Sequence, residues 1–495
     1  MRELLRRFFA NFWNSPSKAL LFFIGGSIVL WTTQCSLLQN IQSLDTLEAV
    51  TWGAQGAWGH FKHPPLSGWL GYGFSVLTGH SDWGLYLLAQ LCLAVGVWYA
   101  YKLAREFWQD QYSAATAALL LYVLHYYNPS WMKYSSFFLE IALRPIMAYY
   151  FYIALRNNRW HQWALFGFFC GLGILAKYST VLLLAAFLVI FFLQKQNRQK
   201  VFSYGPYLAF GVFLLVVAPH INWLIDHDFA CFKHVENRMA DQHPWYTPLN
   251  VTATAFYPLL AEMGVLLLVC FPRYRDRERK PLDRNALCWS LVLTLVPSCF
   301  FILISLFGSD IILMWFSSLA CWTGIAVVAA FPFVITRDLF RRLFLVLVVY
   351  TAVLFVGTSI DLLVSSRSRL HSRPETIVNP ALNFWKMHSS GPIPVVVGER
   401  WLSGVVENYS EERPPACEVD DEVYFDLYKD RIAREGALLI AKRPAQLAGF
   451  LKQVGSPEIK FTPVSVEYSA PWGKTRELRF ILGYLPPREA TVAEQ

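Results

Sequence analysis

Residues 19–39, ALLFFIGGSIVLWTTQCSLLQ, run directly into Asp45-Thr-Leu-Glu48 and then into Phe61-Lys-His-Pro-Pro-Leu66. An uncharged run of that length is enough to cross a bilayer. The two acids and the Lys62-His63 pair that follow therefore stand at a membrane surface, where charge is costly unless it is partnered or used. Two prolines stiffen the chain just after the lysine. The stretch reads as a membrane anchor followed by a charged outer loop.

The rest of the chain agrees with that start. Of its 495 residues 55% are hydrophobic and only 16% charged, too apolar for a soluble globular protein. The 19 Trp, 24 Tyr and 38 Phe suit interfacial belts and lipid-facing surfaces. Apolar runs long enough to cross a bilayer, or nearly so, fall at about 19–39, 83–104, 112–126, 136–155, 162–176, 178–193, 203–221, 252–271, 285–306, 311–333 and 340–364. The expected fold is an all-α polytopic membrane domain of about eleven transmembrane helices, followed by a small C-terminal α/β domain.

The net charge of +8 is not the footprint of a nucleic-acid binder, because it is sorted by loop. Arg2, Arg6, Arg7 and Lys18 precede the first run; Lys102 with Arg105, Arg156 with Arg159, Lys195 to Lys200, Arg273 to Arg284 and Arg337 to Arg342 fill alternate loops. The intervening loops hold only Lys62, Lys133, Lys177, Lys233 and Arg238. The basic loops are then cytoplasmic, as is the N-terminus, and the C-terminal domain lies outside. In a Gram-negative-type cell that means a multi-pass inner-membrane protein with a periplasmic C-terminal domain. The basic start leads into a full-length apolar run with no small-x-small cleavage site, so it reads as an uncleaved anchor. Residues 65–79 (PLSGWLGYGFSVLTG) would invert every later loop if counted as a span, and read instead as an interfacial helix.

The expected domains are 1–365, with its first outer loop at about 40–82, and 366–495. Within the second, 392–398 and 437–441 read as buried strands, 443–454 as an amphipathic helix, and 461–468 and 477–484 as alternating strands. Residues 486–495 read as a loose tail. Seven of the nine cysteines lie in apolar runs as small hydrophobes, while Cys231 and Cys417 lie outside them and are able to pair.

The outer loops are poor in charge, so the charge they hold is informative. Asp45 and Glu48 are spaced i, i+3, on one face of a helix; the plainer reading makes Asp45 an N-cap and leaves Glu48 solvated. Lys62, Lys233 and Arg238 are candidate phosphate contacts, Arg through its bidentate fork. Lys177-Tyr178 is another candidate, or else an interfacial anchor. His63 and His234 are supporting candidates. With His220 they offer possible metal ligands, although no dense ligand spacing is present. Glu140 and Arg144 are spaced i, i+4 inside an apolar run and suit a buried pair. No phosphate-binding glycine loop, HExxH or GxSxG occurs. No cofactor is named by the residues, and a divalent metal stays open. A base and a cation at the lipid boundary suit transfer from a phosphate-linked lipid.

The motifs Asp45-x-x-Glu48, Trp58-Gly-x-Phe-Lys-His-Pro-Pro-Leu-x-x-Trp69, Gly79-x-Ser-Asp-Trp83, Gly171-Leu-Gly-x-Leu-Ala-Lys-Tyr-Ser179 and Pro219-His-x-Asn-Trp … Phe232 … Arg238 resemble the polytopic GT-C glycosyltransferases. The nearest group is that of the dolichyl-phosphate-mannose–protein mannosyltransferases and the bacterial aminoarabinose and galacturonic acid transferases of lipid A. The resemblance covers about 15–365. It implies transfer of a sugar from a polyprenyl-phosphate donor to an acceptor at the outer face, with Asp45, beside Glu48, orienting or deprotonating the acceptor. It also implies that Lys62, with Arg238, Lys177 and Tyr178, stabilises the departing polyprenyl phosphate. The acceptor would be lipopolysaccharide, lipid A or another envelope glycan. Two alternatives stay open: a protein O-mannosyltransferase-like enzyme, and a transporter with Asp45, Glu48 and Glu140 as coupling carboxylates.

Overall fold

The computed structural model describes residues 12–128, 133–239, 246–306, 313–419, 422–455 and 458–488. Contacts divide the chain into two units: Met1–Thr32, Leu87–Met132 and Ser136–Val356 in the first, and Thr33–Tyr86, Lys133–Ser135 and Gly357–Gln495 in the second. The first outer loop thus groups with the C-terminal residues, whereas the sequence attaches it to the spans.

The first unit is a helical bundle that turns large apolar side chains outward over an apolar interior that also holds polar groups. Phe22, Val29, Leu215, Leu260, Leu268 and Val349 are exposed, while Ser27, Gln90, Glu140, Arg144, Glu262 and Ser290 are buried. That is the polarity of a protein solvated by lipid, where apolar surface is free to face outward and polar groups need internal partners. Helix Arg284–Leu306 shows how they find them: the hydroxyls of Ser290, Thr294 and Ser298 each donate to a carbonyl one turn back, at 2.7, 2.9 and 2.7 Å. Helices Trp160–Ala176 and Tyr204–Asp226 meet through Gly167 and Gly171, where an added methyl would stand 2.1 Å from the Ala209 carbonyl oxygen and 2.6 Å from Val216. With no hydrophobic drive between helices in lipid, such small-residue contact is what lets backbones approach.

The chain is a multi-pass membrane protein, but eleven spans are not what it shows. Seven described helices are long and apolar enough to cross: Pro16–Leu38, Asp82–Phe107, Ser136–Asn157, Tyr204–Asp226, Thr247–Cys270, Arg284–Leu306 and Arg337–Val364; an eighth is reached if Thr180–Leu193 and Lys195–Phe202, bent by 102°, are one span. The remaining runs form shorter helices. Gln111–Leu120, given way to 3-10 turns, and Thr323–Ala330 are buried along most of their length. Short or broken helices are tolerated at membrane depth when protein surrounds them.

The second unit holds five strands, β1 Val396–Gly398, β2 Ala416–Glu418, β3 Ala437–Ala441, β4 Phe461–Tyr468 and β5 Arg476–Leu485, in the order β2-β1-β3-β5-β4. β1 runs parallel to β2 and β3, and β5 antiparallel to β3 and β4. β3 matches the buried run read from sequence, and β4 and β5 match the alternating ones within a residue. The amphipathic stretch 443–454 is a 3-10 turn, Pro444–Gln446, followed by a short helix, Ala448–Gln453; Pro444 stands at the first position of the turn, where its missing N–H costs no hydrogen bond. β2 is only three residues long and carries no sequence signature. No disulfide occurs among the described residues.

The stretch read as an interfacial helix is helical over Leu66–Leu77. Its small face, Ser67, Gly68, Gly71 and Ser75, is buried, whereas Leu70, Val76 and Leu77 are exposed. It packs on helix Leu44–Gln55, Gly53 against Gly68, so closely that Gly53 has no room for a methyl group and one at Gly68 would stand 3.0 Å from the Gly53 nitrogen. The pair is part of the C-terminal core: Ile41 and Leu47 pack with Trp401, Leu402 and Leu438, while Trp52 and Phe61 pack with Val397, Cys417 and Leu439 on the opposite sheet face.

Candidate active site

In the second unit, helix Leu44–Gln55 presents both acids of the first outer loop. Ser43, not Asp45, occupies the N-cap. Asp45 lies inside the first turn, where its charge suits the helix dipole, and meets the Lys133 ammonium at 2.5 Å. The two side chains are about one-third exposed. Glu48, one turn on, is not solvated: its side chain is 2% exposed. Its Oε2 accepts from Lys62 Nζ at 2.8 Å and its Oε1 from Arg400 Nη1 at 3.2 Å. Arg400 Nε lies 3.7 Å from Glu418 Oε2.

An aromatic floor holds these charges. Lys62 Nζ lies 5.9 Å from the Trp52 ring centre and the Arg400 guanidinium 5.3 Å from that of Phe61, both within cation–π range. Trp52 stacks on His60 at 5.0 Å and meets His63 at 5.9 Å, so His63 packs against the same indole as Lys62. The His60 amide donates to the His63 carbonyl at 3.1 Å, closing the turn that carries Lys62. The tryptophans of the longer motif, Trp58 and Trp69, meet edge to face at 4.6 Å. The two Asp82 carboxylate oxygens lie 2.9 and 3.0 Å from the Tyr409 hydroxyl, and the Asp82 backbone carbonyl accepts from Gln42 Nε2 at 3.1 Å. Arg369 lies 4.2 Å over Trp401 and 3.7 Å from Glu399. Burial lowers the pKa of Arg369, while the charges of Glu399 and Asp45 oppose the shift.

In the first unit the buried centre is Glu140. It forms a close ion pair with Arg144, a second with Lys177 Nζ at 3.2 Å, and a close hydrogen bond from Ser179; Ser318 Oγ lies 3.4 Å from the same carboxylate. The expected Glu140–Arg144 pair is thus one part of a wider network. Tyr178 bonds His220 Nε2 through its hydroxyl at 2.8 Å and stacks on both His220 and Phe232. Lys233 is exposed on helix Ala230–Met239. The side chains of His234 and Arg238 lie outside the described residues. Among the described residues no group of three or more His, Cys, Asp or Glu is placed to hold a metal.

Asp45, Glu48, Lys62 and His63 thus come together in one unit, while Lys177, Tyr178 and Lys233 belong to the other. Sequence reading missed Arg400, Glu418 and the pairing role of Lys133. Lys133 had a signal, a lone lysine in a charge-poor outer stretch. Arg400 and Glu418 had none, since both lie in an ordinary polar α/β sequence. Glu262, buried in span Thr247–Cys270 and bonded by Thr323 at 2.9 Å, was open to the same reasoning as Glu140.

Comparison with known proteins adds to this geometry. Residues 62–223 match the family model described as dolichyl-phosphate-mannose-protein mannosyltransferase. A lipopolysaccharide core galacturonosyltransferase, RgtB, of Rhizobium johnstonii is 23% identical over 238 residues, 48% of each chain. An undecaprenyl phosphate-alpha-4-amino-4-deoxy-L-arabinose arabinosyl transferase of Pseudomonas fluorescens is 26% identical over 269 residues, 50% of this chain and 44% of the relative. The matches span about half the length of these curated relatives. Among solved structures, ArnT from Cupriavidus metallidurans bound to undecaprenyl phosphate superimposes with a TM-score of 0.60 at 14% identity, covering 96% of this chain and 99% of that one. Its apo state gives 0.59 over 94% and 97%. The chain therefore has the ArnT-like GT-C fold.

Proposed function

We propose that this chain, built on a GT-C fold, is an integral membrane glycosyltransferase. It moves a sugar from a polyprenyl-phosphate donor to a lipopolysaccharide, lipid A or other envelope glycan acceptor. It works at the periplasmic face of a bacterial inner membrane, with its N-terminus cytoplasmic. The observation that carries this reading is the pairing on helix Leu44–Gln55 of a partly exposed acid, Asp45, with a buried acid, Glu48, that holds Lys62.

In the proposed reaction Asp45 takes the proton of the acceptor hydroxyl as its oxygen attacks the anomeric carbon. The bond from that carbon to the phosphate oxygen breaks, and the electron pair leaves with the polyprenyl phosphate. The phosphate gains charge in that step, and a lysine fixed in place before the reaction stabilises it most as the bond breaks. Lys62 is the proposed phosphate contact, with His63 supporting its turn. Lys177 and Tyr178, and Arg238 with Lys233 and His234, keep a proposed part in donor binding.

The match to the mannosyltransferase model favours a second reading, in which the acceptor is a Ser or Thr of a secreted protein. Mass spectrometry of envelope lipids, glycans and secreted proteins from a deletion strain separates the two. Loss of a sugar from lipid A or core supports the first reading, and loss from a protein supports the second. Asp45→Asn abolishes transfer while the protein still inserts and folds; near-normal turnover by that variant removes Asp45 from the mechanism.

A further inference from the structure

We infer that Arg400, carried by the C-terminal segment, is a positioning residue that sets how Lys62 meets the donor phosphate. The inference rests on the reading of Lys62 given above. Its basis is a chain of alternating charges within one unit: Glu418, Arg400, Glu48, Lys62, with successive contacts of 3.7, 3.2 and 2.8 Å. Both acids are almost fully buried, whereas Arg400 is 24% and Lys62 16% exposed. Water therefore reaches the chain only at its cations.

The two oxygens of Glu48 are divided between the two cations, Oε2 to Lys62 and Oε1 to Arg400. That division matters because a buried carboxylate with a single counter-charge holds it tightly: attraction at this separation is several-fold stronger than in water. With Arg400 on the far oxygen, Glu48 draws only partly on Lys62. An ammonium has three donors, so Lys62 keeps its anchor and still has donors for a ligand anion. Without Arg400, the whole charge of Glu48 falls on Lys62 and pulls it from the ligand. Of the other charges facing this helix, Asp45 pairs with Lys133 and Glu399 with Arg369 and Lys442, while Glu407, with Arg413 near it, accepts from the Thr51 hydroxyl of the same helix. Arg400 does not touch the reacting atoms in this account; it acts through Glu48.

The test uses the purified full chain in detergent, with undecaprenyl phosphate as the probe and a transfer assay beside it. Arg400→Gln weakens binding about tenfold and raises the donor KM in proportion, with kcat changed much less. Arg400→Lys, which keeps the charge, recovers most of the loss and shows that the fold tolerates change at this site. Glu48→Gln loosens Lys62 and also weakens binding. In the double variant Glu48→Gln/Arg400→Gln the carboxylate that touches Lys62 is gone, so losing Arg400 no longer tightens a pull on Lys62 and binding is no weaker than in Glu48→Gln alone. Losses that multiply in the double variant overturn the inference, as does wild-type binding by Arg400→Gln. If the wild-type chain itself fails to bind undecaprenyl phosphate, the donor reading falls and takes this inference with it, a result distinct from failure in the variants alone.

Discussion

Gly53→Ala tests whether the packing of helices Leu44–Gln55 and Leu66–Leu77 positions the acids. An alanine methyl at residue 53 would stand 2.0 Å from the Gly68 carbonyl oxygen and 2.4 Å from Tyr72 Cβ, where ordinary contact begins at 3.4 Å. Backbone cannot rotate away as a flexible side chain can, so the helices must part by more than an ångström. Overpacking of this kind costs about 1–3 kcal/mol. The better helix propensity of alanine returns up to about 1 kcal/mol. The net loss is about 1–2 kcal/mol, a drop of a few degrees in melting temperature. Activity suffers more. Asp45 and Glu48 ride on the displaced helix, and a shift of about 1 Å in reacting groups costs about a hundredfold in rate. Gly73→Ala is the control, on the same helix as Gly68, with nothing within 4 Å of the new methyl. Thermal melting in detergent and single-turnover transfer are measured on both variants. If Gly53→Ala melts and turns over like Gly73→Ala, the helix contact does not hold the site.

Three further outcomes follow from particular residues. Lys62→Ala raises the donor KM about 10–100-fold, the worth of a charge-assisted hydrogen bond of about 1.5–3 kcal/mol, and leaves the acceptor KM nearly unchanged; equal effects on both substrates contradict a phosphate contact. Burial pushes the Glu407 carboxyl from its ordinary 4.5 to about 7, against the pull of Thr51, the Ala416 backbone and Arg413. The folded state thus holds this proton more tightly, so its stability contribution, about 3 kcal/mol, is complete below pH 4.5 and lost as pH rises through 7. Glu407→Gln removes that slope and melts higher than wild type at pH 8; parallel melting profiles from pH 4.5 to 8 in the two proteins refute the assignment. Glu140→Gln leaves the buried Arg144 and the partly buried Lys177 without their counter-charge and lowers stability by about 3–5 kcal/mol, read as loss of monodisperse protein on size-exclusion chromatography in detergent. Retention of wild-type stability would mean the cations find water or another acid.

Much of this protein follows from local sequence. A long uncharged run, the sorting of Lys and Arg between loops, and alternation in 461–468 and 477–484 establish a polytopic protein with a terminal sheet, because lipid solvation and strand geometry act residue by residue. The acids Asp45 and Glu48 and the lysine Lys62 stood out for the same reason: charge beside an apolar span is expensive and therefore noticeable. What tertiary structure decided is which charges meet. Glu48 is a buried hub rather than a solvated acid only because Arg400, more than 350 positions away, reaches its second oxygen. Runs such as Gln111–Leu120 and Thr323–Ala330 form short helices surrounded by protein, a condition hydropathy does not record. Pairing across such distances depends on folding the chain back on itself, and no local pattern of residues encodes it.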